Sequence, residues 1–205
     1  MIKNENRKYM DKPFSQACEN NKQPILNILQ TIFTSDGDVL EIGSGTGQHA
    51  VYFAEHLPDI CWQPTEVAEH LAVVSQWVDE AKLSNVKSPI MLNVEDQPWP
   101  FTQLDAVFTA NTLHIMSWEK VEIFFARLGQ YLQTGAKFCS YGPFNKNGVY
   151  TSESNANFDR WLKQRDPLSG IRHIEDLIQL GQANGIELIA ELAMPANNQC
   201  LIWKK

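Results

Sequence analysis

The sequence of 205 residues has no long apolar run and little positive charge. A membrane-spanning helix needs about 18 or more consecutive apolar residues, and no segment reaches that length. The first residues contain no apolar core of a secretory signal. Lys and Arg number 17 against 24 Asp and Glu, whereas nucleic acids and anionic membranes are bound mainly by clustered Lys and Arg. We therefore expect a cytoplasmic protein that binds neither membranes nor nucleic acids.

Cysteine is also scarce. The chain has no C-x-x-C pair, and its four cysteines are Cys18, Cys61, Cys139 and Cys200. This spacing indicates neither a zinc site nor a disulfide framework, so we expect reduced thiols and no bound metal. A chain of this length with 43% apolar residues can bury one core, so residues 1–205 are expected to form a single domain. No pattern indicates an oligomeric state.

What the sequence does contain is a glycine-rich turn between a strand-like segment and a helix, within residues 39–50. Gly43, Gly45 and Gly47 stand at alternate positions. Glycine adopts positive φ angles and lets the backbone approach a ligand, and the first N–H groups of the following helix offer donors. A dinucleotide fingerprint, G-x-G-x-x-G, would need a glycine where Gln48 stands. The pattern therefore favours a nucleotide-type ligand other than a dinucleotide; a tight turn without a ligand is the alternative.

The stretch resembles the Glu/Asp-x-Gly-x-Gly-x-Gly motif of class I S-adenosylmethionine-dependent methyltransferases. This resemblance implies S-adenosylmethionine as the cofactor and a Rossmann-like methyltransferase fold. The residues of the motif that would bind the cofactor are Glu41, Gly43, Ser44, Gly45, Thr46, Gly47 and Gln48.

A second acidic residue stands where a ribose would need it. Glu66 lies about 20 residues beyond the glycines, at the end of the apolar segment 60–65, and a carboxylate there can accept hydrogen bonds from both ribose hydroxyls. A Glu that merely favours a helix N-terminus is the alternative. The expected cofactor site is completed by Val67, Asn93, Val94 and Asn111.

Strand-like and helical segments alternate, which predicts a doubly wound α/β fold. Helical spacing of apolar residues occurs at 24–33, 50–57, 67–78 and 121–132. Strand-like segments occur at 39–42, 60–65, 89–92, 104–109 and 137–141. The last two, 186–193 and 199–203, are too close for a parallel crossover, which needs about a dozen residues. They should form an antiparallel hairpin, as in the mostly parallel, seven-stranded methyltransferase sheet.

Further segments resemble an uncharacterised methyltransferase-like family, domain of unknown function 938, over nearly the whole chain. They lie at 21–26, 62–64, 111–115, 141–144 and 194–198. The family is presumed to bind S-adenosylmethionine, and its substrate is unassigned. The chain departs from the family pattern at Asn20, where an Arg is expected, and at Asn93, where an Asp is expected. Asn93 can still accept a hydrogen bond from an adenine amino group.

Methyl transfer is an in-line displacement, so the protein must align donor and acceptor and, for some acceptors, remove a proton. We expect such residues after the fourth and fifth strands, where His114 and Tyr141 are the catalytic candidates. The unperturbed pKa of histidine suits a base, although a structural histidine is the alternative. Residues 111–114 lack the Asn/Asp-Pro-Pro-aromatic motif, and this disfavours a nucleic-acid base as acceptor.

About thirty residues, 143–172, separate the fifth strand from the next helix, and a loop of this length at the ligand face suggests a substrate lid. The alternative is that Phe158 and Trp161 belong to a packed helix face. Residues 1–12 are either flexible or folded over the pocket. The candidate substrate-binding residues are Asn145, Asn155, Arg172 and Asn197.

The sequence thus predicts S-adenosylmethionine-dependent methyl transfer to a small-molecule acceptor. The alternative is a catalytically silent protein that binds S-adenosylmethionine or S-adenosylhomocysteine and acts through a protein partner. A nicotinamide oxidoreductase ranks third, because Gln48 and the short hairpin connection both count against it.

Overall fold

The computed structural model describes residues 12–34 and 37–205. Within them, the α-helices are Gln16–Ile32 (α1), Gln48–His56 (α2), Leu71–Ala81 (α3), Trp118–Tyr131 (α4), Glu153–Arg165 (α5) and Ile174–Ala183 (α6). The strands are Gly37–Ile42 (β1), Ile60–Glu66 (β2), Ile90–Met91 (β3), Leu104–Ala110 (β4), Leu132–Gly142 (β5), Phe144–Asn145 (β6), Arg172–His173 (β7), Glu187–Met194 (β8) and Asn198–Lys204 (β9). The predicted flexible start, residues 1–12, lies outside the described residues except for Lys12, as do residues 35–36.

Seven strands form one sheet in the order β3-β2-β1-β4-β5-β9-β8. β1 pairs in parallel with β2 and β4, β2 with β3, and β4 with β5. β9 is antiparallel to both β5 and β8. For β8 and β9 this follows because the 3₁₀ turn Pro195–Asn197 between them is too short for a parallel crossover. The predicted α/β fold, with a mostly parallel seven-stranded sheet and an antiparallel final hairpin, is confirmed.

Helices cover both faces of the sheet, so the central strands are buried on each side. On one face the core includes Leu29 of α1 and Phe53 of α2. On the other face it includes Phe124 of α4 and Leu177 of α6. Because β1, β2 and β4 are parallel, their carboxyl ends and the loops that follow them meet at one edge of the sheet.

The first helix is longer than the sequence pattern indicated. α1 begins at Gln16, well before the predicted start at residue 24, and Pro24 lies inside it. The hydroxyl of Ser15 caps the helix by accepting a hydrogen bond from the N–H of Cys18 at 3.3 Å. Residues 16–23 are mostly polar, so apolar spacing does not indicate this part of the helix.

Segment 143–172 is folded: it contains α5 and a short parallel pairing of β6 with β7. Asp159 of α5 is buried and accepts hydrogen bonds from the Tyr150 hydroxyl (2.7 Å), Lys163 Nζ (2.6 Å) and the N–H of Ile171 (2.7 Å). Burial opposes ionisation of Asp159, but these hydrogen bonds outweigh it and lower the pKa of the carboxyl. One buried carboxylate therefore ties α5 to the chain on both sides of it.

Gly47 is expected to tolerate substitution less than Gly135, although both have nearly the same backbone conformation. Their φ angles are 87° and 86°, and a residue with a Cβ pays roughly 1–2 kcal/mol in the left-handed region. A Cβ on Gly47 would also lie 3.1 Å from the Val74 carbonyl oxygen, whereas one on Gly135 would meet nothing within 4 Å.

We therefore expect Gly47→Ala to lower the free energy of unfolding by about 1–3 kcal/mol more than Gly135→Ala, because crowding adds to strain only at the first position. Urea denaturation of the two variants measures the difference. Equal losses would show that α2 and α3 can separate without cost.

Candidate functional site

A cavity of about 810 Å³ opens where β1, β2 and β4 end. This volume is in the range of small-molecule and cofactor sites. Its walls include the glycine turn, the end of β2, the segment after β3 and the loop after β4. From the predicted cofactor set it is lined by Gly43, Ser44, Gly45, Thr46, Glu66, Val67, Asn93, Val94 and Asn111. Glu41, Gly47 and Gln48 are not among the lining residues.

The glycine turn takes its shape from three left-handed residues. The φ angles are 71° at Gly43, 60° at Gly45 and 87° at Gly47, values that residues with a Cβ rarely adopt. A Cβ on Gly43 would approach the hydroxyl of Thr112 to 2.9 Å, while one on Gly45 would meet nothing within 4 Å. Since Gly45 lines the cavity, the backbone there is open to a ligand.

Glu66 is held in place by backbone donors. It is buried at the end of β2, where Oε2 accepts from the N–H of Gly45 and Oε1 accepts from the N–H of Val67, both at 2.8 Å. These two bonds fix the carboxylate against the glycine turn, and each oxygen retains acceptor capacity. The group is therefore arranged to accept from two neighbouring donors on a ligand, as a pair of vicinal hydroxyls would provide.

Glu41 lies behind the turn and supports it from within the protein. Its Oε2 accepts from the Trp62 indole N–H (2.9 Å) and from the Ser44 hydroxyl (3.0 Å). The Ser44 oxygen in turn accepts from the N–H of Thr65 at 3.2 Å. Burial raises the pKa of Glu41 to about 7, with a smaller contribution from the charge of Glu66, and these two hydrogen bonds oppose the rise.

We predict that Glu41 makes stability fall as pH rises. Between about pH 4.5 and 7 the unfolded chain has lost this proton while the folded protein still holds it, so the folded state is disfavoured progressively across that window. In Glu41→Gln the amide oxygen still accepts from Trp62 and Ser44, but the ionisable carboxyl is gone.

The variant should therefore lack a pH-dependent loss of up to about 1.4 kcal/mol per pH unit in the free energy of unfolding. Urea denaturation at several pH values between about 4.5 and 7 measures this slope. Glu55→Gln, at an exposed position of α2, is the control and should keep the wild-type slope. An unchanged slope in Glu41→Gln would contradict the prediction.

Asn93 and Asn111 line the cavity from the segments after β3 and β4. Asn93 follows β3, and its Oδ1 accepts from the N–H of Glu95 at 3.2 Å. Asn111 follows β4 with a φ of 57°, a left-handed conformation that asparagine tolerates better than most residues. Both residues line the cavity, each after a different strand, and their contact with a cofactor stays a prediction.

The two catalytic candidates lie outside the cavity lining. His114 is buried with its ring 5.2 Å from that of Phe158, and burial, aided by the charge of Arg172, lowers its pKa to about 4. Tyr141 is buried in β5, and burial raises its pKa. His114 is therefore neutral at physiological pH and a weak base.

The four predicted substrate residues are also outside the cavity lining and have contacts within the protein. Arg172 donates through Nε to the Leu113 carbonyl at 3.0 Å, and the Asn155 amide donates to the Asn197 carbonyl at 3.0 Å. Asn145 donates to the Ile171 carbonyl at 3.5 Å, and its Oδ1 has no partner among the described residues. These bonds link the segment after β5 to the β4 loop and to the final hairpin.

Several lining residues were not expected from the sequence: Ser15, Ala17, Cys18, His49, His70, Asp166 and Leu168. Ser15 has the residue type of a helix cap, which is the signal that could have located α1. His49 is buried, its Nε2 lies 2.6 Å from Asn21 Oδ1, and burial lowers its pKa to about 4. Asp166 and Leu168 are the residues of segment 143–172 that reach the cavity.

Residues 12–205 match the sequence family described as protein of unknown function (DUF938). The chain belongs to the DUF938 family. This match covers every residue of the cavity described above. Among residues 12–34 and 37–205 of this DUF938 protein, no cluster of three or more His, Cys, Asp or Glu could hold a metal ion. No helix in the same ranges is long and apolar enough to cross a membrane.

The DUF938 fold is similar to solved methyltransferase structures. An O-methyltransferase family protein from Burkholderia thailandensis superposes with a TM-score of 0.80 at 13% identity, covering 92% of this chain and 57% of that one. The mitomycin 7-O-methyltransferase MmcR superposes with a TM-score of 0.79 at 11% identity, covering 92% of this chain and 54% of that one. The S-adenosylmethionine-dependent methyltransferase SibL superposes with a TM-score of 0.77 at 20% identity, covering 92% of this chain and 55% of that one. The DUF938 chain thus spans just over half the length of these proteins, and the likeness shows a shared fold.

Proposed function

We propose that this protein binds S-adenosylmethionine in the cavity and transfers its methyl group to a small-molecule acceptor. The observation that carries the proposal is Glu66, a buried carboxylate fixed against the open backbone of Gly45 at the ends of β1 and β2. This is the arrangement that a ribose with two neighbouring hydroxyls requires. The shared fold with named methyltransferases supports the same assignment.

The cavity residues can be assigned to parts of the cofactor. Glu66 would accept from the ribose hydroxyls, and the Asn93 side chain would meet the adenine amino group. Leu92, Val94 and Met116 line the same cavity and would cover the faces of the adenine ring. The glycine turn would receive the amino-acid end, because its backbone is accessible at Gly45.

Bound S-adenosylmethionine supplies an electrophilic methyl group on a positively charged sulfur. The protein's contribution is to hold an acceptor in line with that methyl and to exclude water. We assign acceptor contact to Asp166 and Leu168, which line the cavity, in place of Asn145, Asn155, Arg172 and Asn197. MmcR is named for methylation of mitomycin, and this supports a small molecule as the acceptor class.

A second candidate function is a catalytically silent binding protein that acts through a protein partner. It is favoured by the surroundings of two histidines: His114 lies outside the cavity lining, and His49 is engaged by Asn21. Burial lowers the pKa of both rings, so neither is tuned for proton removal near neutral pH. An enzyme with this site could still methylate acceptors that attack the methyl group without first losing a proton.

Turnover separates the two candidates. The protein would be incubated with S-adenosylmethionine and a panel of small phenols, amines, thiols and carboxylates, and formation of S-adenosylhomocysteine would be followed. Product above the acceptor-free control supports an enzyme. Tight cofactor binding with no product from any class, together with a co-purifying protein, supports the silent candidate.

Calorimetric titration of S-adenosylhomocysteine tests the cofactor assignment directly. We expect wild-type protein to bind it in preference to NAD, and Glu66→Gln to bind it about 10-fold or more weakly, since hydrogen bonds to a charged group are worth roughly 1.5–3 kcal/mol each. Glu69→Gln, at an exposed position three residues further on, should bind as wild type. Absence of binding to wild-type protein would remove the proposal.

Alkylation of cysteines gives an independent test. Cys18 lines the cavity, whereas Cys61 on β2 has a similar intermediate exposure and does not line it. We therefore expect saturating S-adenosylhomocysteine to slow the reaction of Cys18 with iodoacetamide and to leave that of Cys61 unchanged, as read by peptide mass spectrometry. Equal protection of both thiols would indicate a general change in stability instead of occupancy of the cavity.

A further inference from the structure

The residues before α1 and the first residues of that helix lie beside the glycine turn. We call residues 12–18 the N-terminal strap. Its members Ser15, Ala17 and Cys18 form part of the cavity wall. A ligand bound at the turn would therefore contact the strap as well as the strand ends.

The strap is attached to α3 at its outer end. The Trp77 indole N–H donates to the Pro13 carbonyl oxygen at 2.7 Å, and Lys12 Nζ lies 3.6 Å from the centre of the Trp77 ring. Lys12 also pairs with Glu80 at 2.8 Å. Trp77 and Glu80 do not line the cavity, so these contacts hold the strap without touching a ligand.

Gln48 attaches the inner end of the strap to the turn itself. It is the first residue of α2, and its Oε1 accepts from the N–H of Ser15 at 2.5 Å and from the Thr46 hydroxyl at 3.0 Å. Ser15 and Thr46 both line the cavity. The hydrogen bonds of Gln48 therefore join two walls of one site.

The Gln48 amide is buried and only partly hydrogen-bonded by the described residues. Gln48 is 3% exposed, and its Nε2 has no hydrogen-bond partner among the described residues, although buried donors are nearly always satisfied. A glutamate would supply the acceptor without the amide donor, but it would place a negative charge at a buried position. A neutral acceptor that spans Ser15 and Thr46 meets both demands.

We propose that Gln48 is a positioning residue that couples the N-terminal strap to the glycine turn, so that the strap closes over the bound donor and slows its release. This inference rests on the proposed function for the identity of the ligand. It adds that retention of the donor depends on residues that do not contact it, namely Gln48 and Trp77.

The test compares two variants that loosen the strap at its two ends. Gln48→Leu keeps the side-chain bulk and removes the acceptor for Ser15 and Thr46, and Trp77→Phe removes the donor to Pro13. Each should raise the dissociation rate of S-adenosylhomocysteine, measured by stopped-flow fluorescence, about 3- to 10-fold, as loss of the hydrogen bond that holds one end of the strap implies. Gln23→Ala is the control, because Gln23 also joins α1 to α2, through the Tyr52 hydroxyl, but at an exposed position outside the cavity lining.

Hydrogen exchange of the strap provides a readout that a purely structural role would not change. In wild-type protein S-adenosylhomocysteine should slow exchange in a peptide covering residues 13–18, and this ligand-dependent protection should shrink in Gln48→Leu and Trp77→Phe but not in Gln23→Ala. Wild-type dissociation rates and full protection in both loosened variants would overturn the inference.

Failure of the proposed function gives a different result. If wild-type protein does not bind S-adenosylhomocysteine, the methyltransferase assignment fails. Hydrogen exchange measured without ligand then tests whether Gln48 couples the strap to the glycine turn. Faster exchange of residues 13–18 in Gln48→Leu than in Gln23→Ala supports this coupling, and equal exchange refutes it.

Discussion

The fold depends on a sharp reversal between β1 and α2 that must be made in five residues, Gly43 to Gly47. Three of them take left-handed conformations, so the backbone there has no freedom to accept other residues without strain. The reversal also brings Gly47 against Val74 of α3. Because the same turn ends β1, begins α2 and lines the cavity, its geometry sets the shape of that side of the site.

A buried network of hydrogen bonds keeps this turn in one conformation. Glu41, Ser44, Trp62 and Thr65 link the end of β1 to β2 behind the turn, while Glu66 links β2 to Gly45 in front of it. A buried carboxyl without such partners would be strongly destabilising. The two acidic residues therefore have different tasks: Glu41 orders the turn from the core, and Glu66 presents acceptors to the cavity.

The parts of the fold that the sequence predicted are those encoded locally. Glycine spacing located the turn, and the short interval between the last two strands required a hairpin whatever surrounds it. The carboxylate of Glu66 was placed by its distance from the glycines. The start of α1 could not be read in this way, because its polar residues have no apolar period and its contact with Gln48 spans 33 positions.

The directions of some side chains could not be predicted from the sequence either. His114 and Arg172 lie near the expected loops, but packing turns Arg172 toward the Leu113 carbonyl and buries the His114 ring beside Phe158. Such orientations follow from the tertiary arrangement of α5 and the β4 loop, which no short motif specifies. Asp166 and Leu168 reach the cavity for the same reason.

The Asp159 network gives the unit that carries Asp166 and Leu168 its own internal support. Since Tyr150, Lys163 and the backbone of Ile171 all bond to this one carboxylate, α5 is secured without using any residue of the glycine turn. The two halves of the cavity can therefore diverge separately in evolution: exposed residues after α5 are free to vary, while the half built on the glycine turn stays under the steric constraints of its glycines.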